Sequence, residues 1–152
     1  MLQHIDLTKI PWHYSRCVSQ KCPLSQTCLR SIAFRNLTSE DAEVTVVNPS
    51  LTSEDAGCRF YHSCTPVRFA YGLTLLQLKM FPQQYEQFSR TCIRHFGRNS
   101  YFRRRRGERE MPPEEQSYII ALARKLGIPE PIEFDSYRVF TDWRGGDVFF
   151  GG

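Results

Sequence analysis

A chain of 152 residues that is 41% hydrophobic and 24% charged can bury a real core, and such a composition excludes a disordered protein. The formal charge of +4 is unevenly placed: residues 90–109 carry eight arginines and one glutamate, which leaves twelve basic and fifteen acidic groups elsewhere. A uniformly sticky polycation is thereby excluded, and one basic patch on a mildly acidic body points to a polyanionic partner.

The first twelve residues, MLQHIDLTKIPW, hold no continuous apolar run of the kind a secretory signal needs. The longest apolar stretch, 67–80, is broken by Arg68, Gln77 and Lys79, so no membrane span is expected. The expectation is a cytoplasmic protein, in which six cysteines stay reduced or bind metal rather than pair as disulfides.

Residues 1–16 read as an extended lead-in, because Pro11 discourages a helix around it. Pro23 is placed to open a short helix carrying Cys28, Leu29, Ile32 and Phe34. The hexapeptide Leu-Thr-Ser-Glu-Asp-Ala occurs at 37–42 and again at 51–56. Each copy reads as a helical turn capped by Thr or Ser, and two copies are too few for a solenoid. Between them, residues 43–47 (EVTVV) predict a short strand ended by Asn48-Pro49.

From Pro66 an apolar helix is expected to run to about Met80, with Phe69, Leu73, Leu76 and Met80 on one face. Pro82 opens another, in which Tyr85, Phe88, Cys92 and Phe96 recur at helical spacing until Gly97 stops it. A short, very basic helix over 100–106 follows and ends at Gly107. Pro112-Pro113-Glu114-Glu115 suits the start and dipole of a last helix, whose apolar face is Ile119, Leu122, Ala123 and Leu126. Residues 128–143 are aromatic and proline-interrupted, which predicts a strand or irregular cover. The fold class expected is mainly α with a short β element. Its parts are a cysteine-rich, metal-stabilised lobe (1–65), packed on a helical, helix-turn-helix-like lobe (66–144), and a flexible tail (145–152).

Two groups of residues carry chemistry. Cys17, Cys22, Cys28, Cys58 and Cys64 fall in two clusters separated by twenty-nine residues, the way a chain closes a knot around a soft metal. Cys17, Cys22, Cys28 and Cys58 are the preferred four ligands, with Cys64 the main substitute and His13 or His62 as further substitutes. Zinc is the expected ion and an iron–sulfur cluster the alternative. Such a site is structural, since four thiolates leave no open position for water. Cys92 sits on an amphipathic face and reads as core.

The second group is Arg98, Arg103, Arg104, Arg105, Arg106 and Arg109. Guanidinium forks match phosphate oxygens, so these six predict nucleic-acid binding, DNA ahead of RNA. The bland reading is a solvated face paired with Glu108, Glu110, Glu114 and Glu115. The alternative partner is an acidic protein surface, with the chain acting as an adaptor.

No P-loop, dinucleotide fingerprint, nucleophile elbow or HExxH is present, and the candidate pairs Cys64–His62, Cys92–His95 and Asp135–Asp142 have spacings that chance supplies. The chain is read as a non-enzyme.

Over 82–127 the order helix, Gly97, basic helix, Gly107, helix resembles the helix-turn-helix of Cro-type repressors, whose second helix enters the major groove. Arg105 departs from that pattern, standing where an apolar anchor belongs. Across nearly the whole chain, CVSQKCPLSQTCLR, the VVNP turn, CRF and YFRRRRGEREMPPEEQ resemble a family of short bacterial proteins of unknown function, DUF6078. That resemblance implies no activity, only that the cysteine clusters and the arginine block belong to one architecture.

Overall fold

The structure, a computed structural model, describes residues 5–19, 21–52 and 57–144. The expected tail at 145–152 and most of the second Leu-Thr-Ser-Glu-Asp-Ala copy lie outside them. Among the described residues the chain is largely helical, with five α-helices and one two-stranded sheet. It divides into two compact units, Met1–Pro66 with Thr141–Gly152, and Val67–Phe140.

The first unit is mostly turns. Leu7–Lys9 forms a 3-10 turn that Asp6 caps through the Thr8 amide at 3.0 Å. Helix α1 spans Leu29–Arg35, six residues later than Pro23 predicts. The delay has a local cause. Residues 22–28 close tight turns, with the Ser25 amide on the Cys22 carbonyl and the Cys28 amide on the Leu24 carbonyl. Cys28 itself stays extended as the N-cap of α1.

Residues 43–47 form no strand; only Val46 bridges to Arg16, and Asn48 caps a 3-10 turn at Pro49–Leu51. The first hexapeptide copy is a turn rather than the start of a helix: the Thr38 hydroxyl accepts from the Glu40 amide and Asp41 accepts from the Thr38 amide. Tyr14, Leu29, Ala33 and Trp143 form a small core, on which Ile5, Ile10 and Cys64 pack.

The second unit opens with a correction. Residues Val67–Tyr71 are strand β1, not the start of an apolar helix. A short apolar run fits either, and here a distant partner decides. Strand β2, Ser136–Phe140, pairs antiparallel with it, setting Val67 opposite Phe140 and Tyr71 opposite Ser136. The Phe69 and Phe140 rings stack at 4.0 Å, and Ala70 bridges Met111 on the other side of β1.

Helix α2 is therefore only Thr74–Gln77. Gly72 precedes it at φ +82°, and a Cβ there would collide with the Asp135 side chain. That close approach lets Asp135 cap α2, accepting from the Thr74 hydroxyl at 2.6 Å, the Thr74 amide at 3.1 Å and the Leu75 amide at 2.8 Å.

The remaining helices follow the sequence. Helix α3 spans Pro82–Phe96, with proline in its first turn and Gln84 accepting from the Phe81 amide at 2.9 Å. Phe88 and Cys92 are its buried positions. Helix α4 is Arg98–Arg105 and α5 is Pro113–Lys125, with Ile119 and Ala123 inward. Gly97 alone joins α3 to α4 at φ +87°, ψ 152°, a region open in practice only to glycine. The core gathers Leu73, Leu76, Phe88, Cys92, Tyr101, Met111, Ile119 and Phe134. Burying each large apolar side chain there contributes about 1.5–3 kcal/mol.

Candidate functional sites: a thiol pocket and a basic helix

In the first unit, backbone pairing draws the two cysteine clusters together. The Leu29 amide donates to the His62 carbonyl at 2.7 Å and the Cys64 amide to the Thr27 carbonyl at 2.9 Å, so the segment 62–64 runs against 27–29. Cys17 is fixed from the other side, its amide on the Arg30 carbonyl at 3.0 Å. The result is one pocket walled by Cys17, Cys22, Cys28 and Cys58, with Arg30, Leu24 and Phe60 among the other lining residues.

All six cysteines are free thiols. Burial raises the Cys17 thiol above its usual range; a backbone hydrogen bond at Ser19 opposes this, and the neighbouring Cys28, Cys58 and Cys22 add to it. The Leu24 amide points at the Cys22 sulfur at 3.4 Å. As placed, no group of three or more His, Cys, Asp or Glu among the described residues is arranged to hold a metal ion. Cys64 does not line the pocket; it packs on the Tyr14–Trp143 core. His62 is engaged there too, with Nδ1 2.6 Å from the Tyr14 hydroxyl, and burial together with Arg30 pushes its imidazole below the ordinary range. His13 lies edge-on to Trp12 at 5.3 Å.

Arg30 is a residue that sequence reasoning missed. It is wholly buried, donating from Nε to the Phe60 carbonyl and from Nη1 to the Ser15 carbonyl, both at 2.8 Å, and it lies 5.4 Å from the Tyr14 ring centre. Only its place in the turn of α1 after Cys28 hints at this, and an arginine there reads as surface.

In the second unit the six arginines separate into two kinds. Arg104 is buried, 4% exposed. Its Nε and Nη2 grip Glu115 at 2.9 and 2.7 Å, and its Nη1 donates to the carbonyl and hydroxyl of Ser100. Arg105 is half-buried, with Nε on the Gln77 side chain at 2.9 Å. These two build the helix's inner face beside Tyr101, where their guanidinium groups bond within the protein.

Arg98, Arg103, Arg106 and Arg109 are exposed. Arg106 pairs with Glu108 at 2.8 Å, an exposed contact that raises the arginine and lowers the glutamate. Arg98 and Phe102 on α4 and Arg106 at its C-cap recur every four residues, so they share one stripe, and Arg103 flanks it. The Arg98 guanidinium lies 5.4 Å from the Phe102 ring centre. The one-residue Gly97 junction is shorter than the three- to four-residue turn of a helix-turn-helix.

The candidate catalytic pairs have other occupations. Cys92 is core, its thiol pushed up to about 12 by burial, whereas His95 is exposed and stacked on Tyr118 at 3.9 Å. Asp135 caps α2, and Asp142 accepts from the Arg144 amide at 3.0 Å. Among the described residues no helix is long and apolar enough to cross a membrane.

Residues 1–143 match a family described as a family of unknown function, DUF6078. No curated protein and no solved structure matches the chain.

Proposed function

This chain belongs to the DUF6078 family, whose function is unknown, and we propose that it is a non-catalytic nucleic-acid-binding domain that meets phosphates with the outer face of α4. The observation that carries this reading is the stripe of exposed Arg98 and Arg106 flanking half-buried Phe102, with exposed Arg103 beside it, on a helix whose inner face is fixed by Arg104 and Glu115. Guanidinium groups interleaved with an aromatic ring suit phosphates and, on a single strand, a stacked base. The Arg106–Glu108 pair is no obstacle. Water screens so exposed a pair and leaves it little net stability, so a phosphate can displace the carboxylate.

The phosphate count follows from burial. Four exposed arginines predict a slope of log affinity against log salt of about −3.6 on duplex DNA, where all six would give about −5.4. Retention of the full chain on DNA and on RNA across a salt series measures it. Changing Arg98 and Arg103 together to Ala is expected to flatten the slope by about 2. Equal elution of wild type and an Arg98/Arg103/Arg106→Ala variant overturns the reading.

A second reading, an adaptor for an acidic protein surface, is favoured by one contact: Arg106, at the C-cap of α4, already holds a carboxylate, that of Glu108. Under it the same triple variant loses an acidic protein partner while neither form binds DNA.

A further inference from the structure

The thiol pocket stands apart from the phosphate-binding reading, because it belongs to the other unit. We infer that Cys17, Cys22, Cys28 and Cys58 hold a single zinc ion as a closed, structural site, and that Cys64 takes no part. Three independent observations carry this inference. The first is convergence. Four cysteines spread over forty-two positions of sequence wall one pocket, while Cys92 lies in one apolar core and Cys64 packs, partly buried, against another.

The second is size. The cavity holds about 20 Å³, room for one water-sized body. A zinc ion with sulfurs at about 2.3 Å sets those sulfurs about 3.8 Å apart and needs no more space than that. An iron–sulfur cluster brings at least four heavy atoms of its own and needs a wider opening than a single ion does.

The third is electrostatic environment. Zinc with four thiolates carries a net charge of −2. Arg30, wholly buried and one of the residues that line the pocket, places a cation near that charge. The Leu24 amide on the Cys22 sulfur adds a donor that favours the thiolate form. Since no three of these groups could hold an ion as placed, binding turns the thiol side chains toward a common centre. Four protons leave as the four bonds form, and no redox step is involved.

The test uses the full chain, purified under reducing conditions with zinc as the only added metal. One equivalent of zinc is expected, with four sulfur scatterers at about 2.3 Å by X-ray absorption. Four thiols should resist a disulfide reagent until a strong chelator is added. Cobalt loading should give the absorption of tetrahedral thiolate coordination. Cys22→Ser and Cys58→Ser are expected to lose the ion, and Cys64→Ser and Cys92→Ser to keep it. Should the first pair fail to fold, thiol protection and absorption on the wild-type chain still decide. A metal-free protein with solvent-reactive pocket thiols overturns the inference. So does iron with acid-labile sulfide, or loss of the ion in Cys64→Ser. None of these outcomes bears on the salt slope of the α4 face, so the two readings fail separately.

Discussion

Replacing Arg104 with Met separates a structural arginine from a phosphate-binding one. The wild-type side chain, 4% exposed, makes two charge-assisted bonds to Glu115 at 2.9 and 2.7 Å and a further one to the Ser100 carbonyl at 3.1 Å. Breaking a buried pair by removing one partner costs about 3–5 kcal/mol. Glu115 keeps 23% of its side-chain surface, so the stranded carboxylate partly rehydrates and the cost falls to about 2–3 kcal/mol. For a unit spanning Val67–Phe140, each kcal/mol shifts Tm by about 4–8 °C, so a fall of roughly 10–20 °C is expected.

Far-UV circular dichroism follows this unit, which holds four of the five helices, while Trp12 and Trp143 report on the first unit. Because an apolar pair can replace a buried ion pair at little cost, Arg104→Met/Glu115→Leu should recover more than half of the loss. The DNA salt slope, read below the variant's Tm, should stay at its wild-type value. Two results refute the reasoning: a cost of under about 0.5 kcal/mol for Arg104→Met, or a slope that falls by about 1.

Asp135→Ala removes three acceptor contacts from the start of α2 and should cost about 1–2 kcal/mol in urea unfolding. Gly72→Ala should cost at least as much, since it adds both a Cβ against Asp135 and strain at φ +82°; a neutral result for either disproves the capping geometry. The Cys92 thiol, fully buried and pushed up to about 12, should resist alkylation at pH 8 until the second unit unfolds. The same group gives a pH dependence. The native state keeps its proton between pH 9 and about 12 while the unfolded state loses it, so stability should fall with rising pH, at up to about 1.4 kcal/mol per unit. Cys92→Ala should shrink that alkaline loss.

Legibility in the sequence tracked the range of the interactions that decide each element. Helices α3 and α5 carry their own start and stop signals in Pro82, Gly97, Pro113 and Gly127, and their apolar faces repeat at 3.6 residues. Strand β1 does not, because VRFAY becomes a strand only through Ser136–Phe140, more than sixty positions away. The arginine block shows the same limit. Composition marks it as basic, yet the phase of α4 decides that Arg104 faces inward with Tyr101 while Arg103 faces water. The gathering of Cys17, Cys22, Cys28 and Cys58 could be read from residue type and clustering. The exclusion of Cys64 and the burial of Arg30 could not, since both follow from how segment 62–64 and α1 pair.

Val67 and Phe140, the first and last residues of the second unit, are direct partners across the β1–β2 ladder, while Trp143 completes the core around Tyr14 and Leu29. Along the sequence the second unit is thus an insertion within the first, and its own two ends are zipped side by side. During synthesis the inserted unit can finish first although it begins to emerge later, whereas the core around Tyr14 must wait for Trp143. A ring-closed peptide of residues 67–140 should therefore need only a short splice, whereas cutting the chain after Phe140 would leave the cysteine-bearing unit without its keystone.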